Sequence, residues 1–385
     1  MTANKSKLKT LIVLGTRPEA IKLAPVIREM RKRPWALPIV CVTGQHREMA
    51  DQMLSVFAIT PDINLDVMTR SQRLSSAAAK ILIGMQKTLR QVAPHLVVVQ
   101  GDTTTTFAAS LAAFYEGVPV AHVEAGLRTQ NRLEPFPEEI NRRLADSLAE
   151  LLFPATEENR RNLLKEGIEP DRIFVVGNTV VDALKHVIRY NRKKHFPELP
   201  RLSGRMIITV TAHRRESFGQ PLENICKALL TVLEIDDRIE IVYPVHPNPN
   251  VTGPARKYLS RNERIHLLPP LDYLSFIELL RRSELILTDS GGIQEEAPTL
   301  KKPVLLMRNL TERPEGIHAG FVKIVGTDAK DIVAAARQVL QNPTLQSHLQ
   351  SIPNPYGDGR SAQRIVSIIG QHQRQLLSRR PFILS

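Results

Sequence analysis

The sequence contains few aromatic residues, although its net positive charge is high. Aromatic residues make up 5% of its 385 residues, and the formal net charge is +13. No aromatic–basic repeat or recognised nucleic-acid module is present, and the basic residues are spread along the whole chain. This distribution disfavours a nucleic-acid binder and favours an enzyme that acts on an anionic small molecule. We therefore expect no nucleic-acid partner.

Cysteines, leader-like segments and long apolar runs are also scarce. The two cysteines, Cys41 and Cys226, lie far apart within or beside apolar stretches, which predicts reduced thiols in a protein core. The first ten residues are polar and resemble no signal peptide, and no apolar run approaches the ~20 residues that a membrane-spanning helix needs. These absences predict a soluble, cytoplasmic protein with no membrane partner.

Several cofactor and metal motifs are missing. The chain has neither the GxxxxGK[ST] loop nor GxGxxG, which disfavours P-loop ATP hydrolysis and NAD dependence. It also lacks the HxH, HExxH and CxxC spacings of common metal sites. We expect neither a cofactor nor a metal ion.

Short apolar runs alternate with longer segments of helical periodicity. The runs are rich in Val, Ile and Leu without polar alternation, which is typical of parallel strands buried on both faces. Helical spacing extends from Leu74 to Val92 and from Ile140 to Leu151. This alternation predicts an α/β protein with doubly wound parallel sheets. The predicted strands are Leu11–Leu14, Ile39–Val42, Leu96–Gln100, Phe174–Val176, Met206–Val210, Ile239–Val242, Leu285–Thr288 and Val304–Met307.

The second half of the chain repeats the pattern of the first. Leu11–Leu14 and Met206–Val210 each run into a basic turn and then a helical segment. Since the chain is too long for one ordinary core, we expect two domains of similar architecture, at residues 1–190 and 206–359. The stretch 191–205, with two prolines and a glycine, is the predicted linker.

Ligands of open α/β sheets bind beyond the carboxyl ends of the strands, so the polar residues that follow apolar runs are the candidate site. In GTRPEAIK, Arg17 and Lys22 can project toward an anion, or they are solvated cations at a helix start. Asp102 follows LVVVQG and is either a helix N-cap or a carboxylate that faces a ligand.

Two further carboxylates follow in the same half. Glu124 lies in the glycine-containing loop HVEAGLRT, and Glu138 precedes the helical segment at Ile140. An acid at that position also favours the helix dipole, which is the simpler interpretation. The alternative is that Asp102, Glu124 and Glu138 converge as an acid–base set. The spacing leaves both interpretations open.

The second half offers groups that suit a phosphate. TAHRRE places His213 and Arg214 after a strand, as an anion site or as a solvent-exposed basic face. TDSGGIQEEAP ends a strand in Ser290-Gly291-Gly292, whose N–H groups and helix dipole favour phosphate unless this is an ordinary glycine turn. Glu296, one turn into that helix, can reach a ribose diol. Arg313 can add to the phosphate site.

Together these segments identify a family. The chain resembles the bacterial non-hydrolysing UDP-N-acetylglucosamine 2-epimerases, through motifs that occur in order from residue 15 to 359 and cover nearly its whole length. The motifs are GTRPEAIKLAP, TGQHREM, GDTTTTFAASLAAFYEGVPVAHVEAGLRT, PFPEEINR, TAHRRESFG, YPVHPNP, TDSGGIQEEAP, TERPEG and NPYGDG.

The resemblance implies a GT-B glycosyltransferase-like fold. Two Rossmann-like domains would enclose an active site in the interdomain cleft, and a helix at about 360–385 would pack back on the first domain. The implied isomerase interconverts UDP-GlcNAc and UDP-ManNAc. Anti elimination of UDP gives 2-acetamidoglucal, and UDP is then added again with inversion at C2.

The resemblance also assigns roles to residues. It implies Asp102, Glu124, Glu138 and His213 as catalytic residues. Asp102, Glu124 and His213 are also implied to bind the substrate, with the following further UDP- and sugar-binding set: Arg17, Lys22, Leu271, Phe276, Ser290, Gly291, Gly292, Glu296 and Arg313.

Many bacterial members of the family bind a second UDP-GlcNAc as an allosteric activator. The positions that match this site are Gln45, Glu48, Arg214 and His246. This sequence departs from the pattern at Ser71, where such members carry arginine, so that Arg70 or Arg73 would have to substitute.

A homodimer and a role in polysaccharide biosynthesis are further implications of the resemblance. Three alternative functions remain at this stage. A hydrolysing epimerase would release ManNAc and UDP, a GT-B glycosyltransferase would need an acceptor site, and a basic binding protein would show no turnover.

Overall fold

A parallel six-stranded sheet forms the centre of each of two structural units. The computed structural model describes residues 7–44, 53–67, 72–192 and 194–379. The first unit comprises Met1–Ala183 and Gly357–Ser385, and the second comprises Leu184–Tyr356. The division falls within a helix, whereas residues 196 and 199 of the predicted linker are buried in a small apolar cluster of the second unit.

The first sheet has the strand order β3-β2-β1-β4-β5-β6, with every neighbouring pair parallel. Its strands are β1 (Leu8–Leu14), β2 (Ala36–Val42), β3 (Ile63–Asn64), β4 (Leu96–Gln100), β5 (Val120–Val123) and β6 (Leu151–Phe153). The helices of this half are α1 (Arg17–Arg31), α2 (Leu74–Val92), α3 (Thr104–Tyr115), α4 (Glu138–Leu148), α5 (Glu157–Lys165) and α6 (Thr179–Asn191).

The second sheet has the order β12-β11-β10-β7-β8-β9, again parallel throughout. Its strands are β7 (Met206–Thr211), β8 (Ile239–Pro244), β9 (Ile265–Leu268), β10 (Leu285–Thr288), β11 (Val304–Leu306) and β12 (Val322–Ile324). The helices are α7 (Gln220–Val232), α8 (Pro249–Leu259), α9 (Tyr273–Arg282), α10 (Gly291–Leu300), α11 (Pro314–His318), α12 (Ala329–Leu340) and α13 (Leu345–Ser351).

Two C-terminal helices complete the first unit. They are α14 (Ser361–Gln371) and α15 (Gln373–Ser378). Asp182 fixes the start of α14, since its carboxylate accepts the backbone N–H groups of Ser361 and Ala362 at 3.2 and 3.1 Å. Ile365, Val366, Ile369 and Leu376 of this segment are buried, and α14 packs against α1.

Both sheets share one topology. Counted from its own first strand, each has the order 3-2-1-4-5-6 of the classical dinucleotide-binding fold. The strand order reverses between β1 and β4 in the first unit and between β7 and β10 in the second. Ligands of such sheets bind beyond the carboxyl ends of the strands at this point.

Apolar strands hold each unit together. All residues of β4, β5 and β10 are buried, and the two main apolar clusters surround these sheets. Cys41 and Cys226 are both free and buried, which confirms the prediction of core thiols, and burial raises the pKa of each to about 12. Within the described part of the chain, no helix combines the length and hydropathy needed to cross a membrane.

Two local predictions were wrong. Phe174–Val176 is not a strand: it runs extended beside β6, and only Ile173 forms an isolated bridge with it. Leu151 belongs to β6 rather than to the preceding helix, and Leu144 is exposed. The buried face of α4 is instead mostly polar, formed by Glu139, Asn141, Arg142, Ala145 and Asp146. The apolar periodicity therefore predicted the helix but not its buried face, since that face carries charged groups.

Candidate active site

In the first unit, Glu19 connects the loops that follow β1 and β4. Its fully buried carboxylate accepts the N–H groups of Gly15 and Thr16 at 3.0 and 2.6 Å, and the hydroxyls of Thr103 and Thr106 at 2.7 and 3.2 Å. Burial raises the pKa of Glu19, and these hydrogen bonds partly offset that effect. Glu19 therefore holds together the two strand ends between which the sheet order reverses.

Gly15 lies at the same junction and is needed for space. A Cβ atom there would lie 2.3 Å from the Thr105 hydroxyl oxygen and 2.5 Å from that of Thr43. The glycine is needed for this close approach and not for a left-handed turn, because its φ lies outside the left-handed range. The chain then enters α1 with Arg17, which is half-buried, and Pro18 in the first turn.

Lys22 and Glu124 form a buried ion pair within the first unit. Asn178 also donates to the Glu124 carboxylate, at 3.2 Å. The backbone of Glu124 has φ = 69°, a left-handed conformation that is costly for a residue with a side chain, by about 1–3 kcal/mol. The hydrogen bond from its N–H to Phe153 O, 3.0 Å long, helps to hold it there. Strained backbone of this kind is concentrated at functional sites.

Asp102 is not the N-cap of α3. That role belongs to Thr103, whose hydroxyl accepts the N–H of Thr106 at 3.2 Å. The Asp102 carboxylate instead accepts a charge-assisted hydrogen bond from Arg142 at 2.6 Å, and Asn141 donates to its backbone carbonyl at 3.0 Å. About a quarter of the Asp102 side chain remains exposed. Arg142 and Asn141 lie on α4, so this helix fixes the loop that carries Asp102.

Glu138 is the first residue of α4 and is half-buried. It lies one turn before Arg142, on the helix that contacts Asp102. Its neighbour Glu139 is fully buried, and its carboxylate accepts the N–H of Thr129 and a hydrogen bond from Arg143, both at 3.1 Å. Glu139 therefore anchors the start of α4, while Glu138 is the more exposed carboxylate of the two.

A fully buried histidine links these elements. His122 Nδ1 lies 2.7 Å from Asp146 Oδ1, and its Nε2 lies 2.7 Å from the carbonyl oxygen of Gly101. Asp146 is in turn 2.8 Å from Arg128, which also pairs with Glu166 at 2.5 Å. Burial alone would lower the pKa of His122, but attraction to Asp146 and these hydrogen bonds raise it overall.

In the second unit, Asp289 positions His213. One Asp289 oxygen accepts the backbone N–H groups of His213 and Arg214 at 2.7 and 2.8 Å, and the other lies 3.2 Å from His213 Nδ1. β7 and β10 are paired neighbours, with Thr211 opposite Thr288. The residues that follow them, His213 and Ser290, therefore emerge side by side.

His213 also stacks on His246. Their ring centroids are 5.8 Å apart, and the planes differ by 17°. Burial lowers the pKa of His213; Asp289 opposes this, while Arg214 and His246 lower the pKa further. The structure thus places a predicted catalytic residue in contact with a predicted allosteric residue.

The predicted phosphate loop is the N-terminus of α10. Ser290 is the N-cap, and its N–H donates to Thr288 Oγ1 at 2.9 Å. A Cβ atom on Gly291 would lie 2.7 Å from Arg313 Nη1, whereas one on Gly292 would meet only the Ser290 hydroxyl at 4.0 Å. The Arg313 guanidinium therefore lies directly against Gly291. It is paired with Glu295 and Glu312.

Glu296 is buried one turn further along α10. Tyr273 donates its hydroxyl to the Glu296 carboxylate at 2.9 Å, which fixes that side chain. Leu271 and Phe276 are half-buried, before and within α9 respectively, and Asp272 caps this helix between them. Tyr273, which lies between Leu271 and Phe276 in the sequence, thus connects these two predicted UDP-binding residues to the predicted ribose carboxylate.

Some residues of the predicted allosteric site lie outside the described part of the chain. Gln45 and Glu48 lie outside the described residues, as do Arg70 and Ser71. Within the described ranges, no group of three or more His, Cys, Asp or Glu side chains is arranged to hold a metal ion.

A family model described as UDP-N-acetylglucosamine 2-epimerase matches residues 28–370. The chain belongs to this family. The UDP-N-acetylglucosamine 2-epimerase of Salmonella typhimurium is 48% identical over 378 residues, which cover 96% of this chain and all of that protein. The chain is thus an enzyme of the UDP-N-acetylglucosamine 2-epimerase family, as predicted.

Solved structures of family members have the same fold as this chain. The enzyme from Neisseria meningitidis bound to UDP-GlcNAc has a TM-score of 0.89 at 44% identity, and covers 94% of this chain and 100% of its own. The enzyme from Methanocaldococcus jannaschii in complex with UDP-GlcNAc and UDP has a TM-score of 0.80 at 36% identity, with coverages of 94% and 99%. The predicted GT-B-like α/β fold of the UDP-N-acetylglucosamine 2-epimerases is confirmed.

Sequence reasoning missed the residues that hold the candidate site in place. Most lay inside quoted motifs, but a motif does not show which of its members contact one another. A weak signal existed for His122, a polar residue in the otherwise apolar strand VAHV. The missed residues are Glu19, His122, Arg142, Asp146, Asn178, Tyr273 and Asp289.

Proposed function

We propose that the protein interconverts UDP-GlcNAc and UDP-ManNAc without hydrolysis. Family membership along residues 28–370 supports the substrate class. The observation that carries the proposal is the group at the carboxyl ends of β1, β4 and β5, where Lys22 pairs with Glu124 and Asp102 remains partly exposed. Carboxylates beside a fixed cation suit the transfer of a proton at one carbon.

The chemistry requires cleavage before deprotonation. The C2 hydrogen of the sugar is not acidic, so the C1–O bond breaks first and UDP leaves with the electron pair, through a transition state of oxocarbenium character. A base then takes the C2 proton, and the C1–C2 double bond of 2-acetamidoglucal forms. In the second step, a proton is delivered to the opposite face of C2, and a UDP oxygen attacks C1.

Departing UDP needs fixed positive potential. We assign this role to the N-terminus of α10, where Gly291 and Gly292 present backbone N–H groups beside the Ser290 N-cap. We also place His213 near the phosphates, where their negative charge would favour its protonated form. Because Glu295 and Glu312 pair with Arg313, we assign that arginine mainly to shaping the loop against Gly291. Glu296, held by Tyr273, is assigned to the ribose hydroxyls.

Proton transfer at C2 needs groups on both faces. We assign Asp102, Glu124 and Glu138 to this set. An ion pair such as that of Lys22 with Glu124 stabilises a carboxylate over a carboxylic acid. Arg142 likewise orients the carboxylate of Asp102. Arg17 precedes these groups at the start of α1 and is assigned to the anionic part of the substrate.

The decisive experiment is turnover of UDP-GlcNAc in D₂O without added NAD or metal. We expect UDP-GlcNAc and UDP-ManNAc that both carry deuterium at C2. Turnover without deuterium at C2 would contradict elimination and re-addition. Free N-acetylmannosamine as the main product would instead identify a hydrolysing epimerase. Transfer of the sugar only to an added acceptor would identify a glycosyltransferase.

We also propose a second UDP-GlcNAc molecule as activator, bound through Arg214 and His246 together with Gln45 and Glu48. The stack of His246 on His213 supports this, because a second ligand bound to His246 would act directly on His213, a proposed catalytic residue of the same unit. The test is the dependence of rate on UDP-GlcNAc: sigmoidal kinetics that become hyperbolic in His246→Ala support it. A homodimer that acts in polysaccharide biosynthesis stays a prediction of the resemblance, and a cytoplasmic location stays a prediction of the sequence composition.

A further inference from the structure

His122 occupies a central position beneath the proposed acid–base groups. It lies on β5, two residues before Glu124, and is fully buried. Its Nε2 contacts the carbonyl of Gly101, which directly precedes Asp102. Its Nδ1 contacts Asp146, which lies on α4, the helix that also carries Glu138. The imidazole ring thus contacts the residue before Asp102 and the helix that carries Glu138, and it lies on the strand that leads to Glu124.

The hydrogen-bond geometry determines the protonation of this ring. A backbone carbonyl only accepts hydrogen bonds, so Nε2 must carry a hydrogen to bond Gly101 at 2.7 Å. The other oxygen of Asp146, Oδ2, lies 2.8 Å from Arg128 and accepts the N–H of Gly126 at 3.2 Å. Because a neighbouring cation and a donated hydrogen bond favour the ionised carboxylate, Oδ1 is an acceptor as well. Nδ1 must therefore also carry a hydrogen. A ring with two N–H groups is an imidazolium cation.

The surrounding charges agree with a cation at this position. Asp146 from α4 and Glu124 from the loop after β5 face the ring. Arg128, from the same loop, contacts Asp146 and also pairs with Glu166 at the end of α5. Glu166 pairs with Arg128, and Asp146 is shared by Arg128 and His122. The pKa of Asp146 is held low by His122 and Arg128 despite the opposing effect of burial.

We propose that His122 is a permanently protonated positioning residue, which fixes the Asp102 loop through Gly101 and presents a positive charge to Glu124. This inference rests on the proposed function for its effect on catalysis. The charge of His122 itself does not rest on it. Because His122 touches no reacting atom in this scheme, it acts through Gly101, Asp146 and Glu124.

Two consequences separate this role from ordinary core packing. A neutral side chain in place of the imidazolium removes a positive charge from beside the carboxylates, which then protonate at higher pH. It also loosens the Gly101 carbonyl, and a misplacement of about 1 Å at a reacting group can cost ~10²-fold in rate. A side chain that merely fills space would change neither the pH profile nor the charge state of the site.

The first test measures the charge directly. In protein labelled with ¹⁵N at histidine, we expect both His122 ring nitrogens to show imidazolium shifts from pH 6 to pH 9, with the signals assigned by their loss in His122→Gln. In Asp146→Asn, which removes the anionic partner, we expect His122 to titrate within this range. A neutral tautomer of His122 at pH 7.5 in the wild-type protein would overturn the proposal.

The second test measures the consequence for turnover of UDP-GlcNAc. In His122→Gln we expect kcat to fall by about 10²-fold with little change in KM, and the acidic limb of the kcat/KM profile to move to higher pH. His266→Gln is the matched control, since His266 also pairs with a carboxylate, Glu240 at 2.8 Å, but in the second unit. We expect wild-type kinetics for this control.

The outcomes distinguish the two proposals. If folded His122→Gln keeps the wild-type kcat and pH profile, His122 is a structural residue and the inference is wrong. If the wild-type protein does not epimerise UDP-GlcNAc, the proposed function fails, while the ¹⁵N measurement still decides the charge of His122. If His122→Gln does not fold, the His122 signals are assigned by their change in Asp146→Asn, and the wild-type and Asp146→Asn spectra then decide the question.

Discussion

The imidazole ring of His213 stacks on that of His246, with the ring centroids 5.8 Å apart and the planes 17° from parallel. Two positively charged rings at this distance repel each other, so protonation of one opposes protonation of the other. Burial lowers the pKa of His213, and His246 and Arg214 lower it further against the opposing effect of Asp289. His213 is therefore biased toward its neutral form.

The first prediction concerns this pair. His246→Phe keeps a flat ring for stacking but removes a group that can be charged, so we expect the pKa of His213 to rise toward its ordinary value. The measurement is an NMR titration of the His213 ring. His348→Phe, the same change at an exposed histidine of the second unit, should leave the titration unchanged. A fall in the His213 pKa in His246→Phe would refute the assignment of this contact.

The same lowered pKa has a consequence for stability. As the pH falls, the unfolded chain protonates His213 near the ordinary value of 6.5 before the folded chain does. His213 therefore decreases the free energy of unfolding as the pH falls through 6.5 toward the folded-state pKa, and has no such effect well above 6.5. In His213→Gln, urea unfolding should show a smaller decrease over that interval.

The second prediction concerns Asp102. Asp102→Asn keeps an oxygen that can accept the hydrogen bond from Arg142, so we expect the fold to persist. Turnover should fall by about 10²–10⁴-fold, since an amide cannot transfer the proton. The measurements are kcat and the thermal unfolding temperature. Glu157→Gln, at an exposed carboxylate of the same unit, is the control and should leave both unchanged. Near-normal turnover in Asp102→Asn would remove Asp102 from the acid–base set.

The third prediction concerns the ion pair of Lys22 and Glu124. Both side chains are more than nine-tenths buried, so removing one partner leaves a buried charge and should destabilise the first unit by about 3–5 kcal/mol. We expect Lys22→Met combined with Glu124→Gln to cost less than the sum of the two single changes. A double-mutant cycle by urea unfolding measures the difference. Strictly additive effects would show that the pair contributes no coupling energy.

The fourth prediction compares two adjacent glycines. In Gly291→Ala the new methyl group would lie 2.7 Å from Arg313 Nη1, so Arg313 must move away from two carboxylate partners. We expect a lower unfolding temperature and weaker binding of UDP. In Gly292→Ala the methyl group meets no protein atom closer than 4.0 Å. Its unfolding temperature should therefore equal that of the wild type or exceed it, because alanine favours the helix by up to about 1 kcal/mol.

Calorimetry without ligand separates these effects from contacts with UDP. If both alanine variants unfold at the wild-type temperature, the close approach of Arg313 to Gly291 is not a constraint. If both lose stability equally, the loss comes from the backbone of α10 and not from the Arg313 contact.

Much of the fold followed from residue types. The central residues of β4 are valines, and the whole strand is buried on both faces. Apolar strands of this kind that alternate with helices are typical of parallel sheets. The strand ends then indicated where polar residues gather, and the structure pairs Lys22 with Glu124 there. The topology adds the reason: the order 3-2-1-4-5-6 reverses between β1 and β4, and ligands of such sheets bind beyond the strand ends at this point.

Local periodicity failed where buried positions are polar. The sequence pattern gave α4 an apolar face that included Leu144, but the helix buries Glu139, Arg142 and Asp146 instead. A buried charge is stable only with a partner, and its partners come from other elements: Asp102 for Arg142, and His122 for Asp146. A pattern read along one helix contains no information about such partners.

The order of residues thus determined the strands, their parallel arrangement and the edge of each sheet where chemistry is possible, because burial of Val, Ile and Leu depends mainly on local composition. Only the tertiary structure decided which charges meet. It paired Lys22 with Glu124 across 102 positions and put both ring nitrogens of His122 against acceptors. Electrostatic interactions depend on distances in space, and these are fixed only when the sheets and helices have packed.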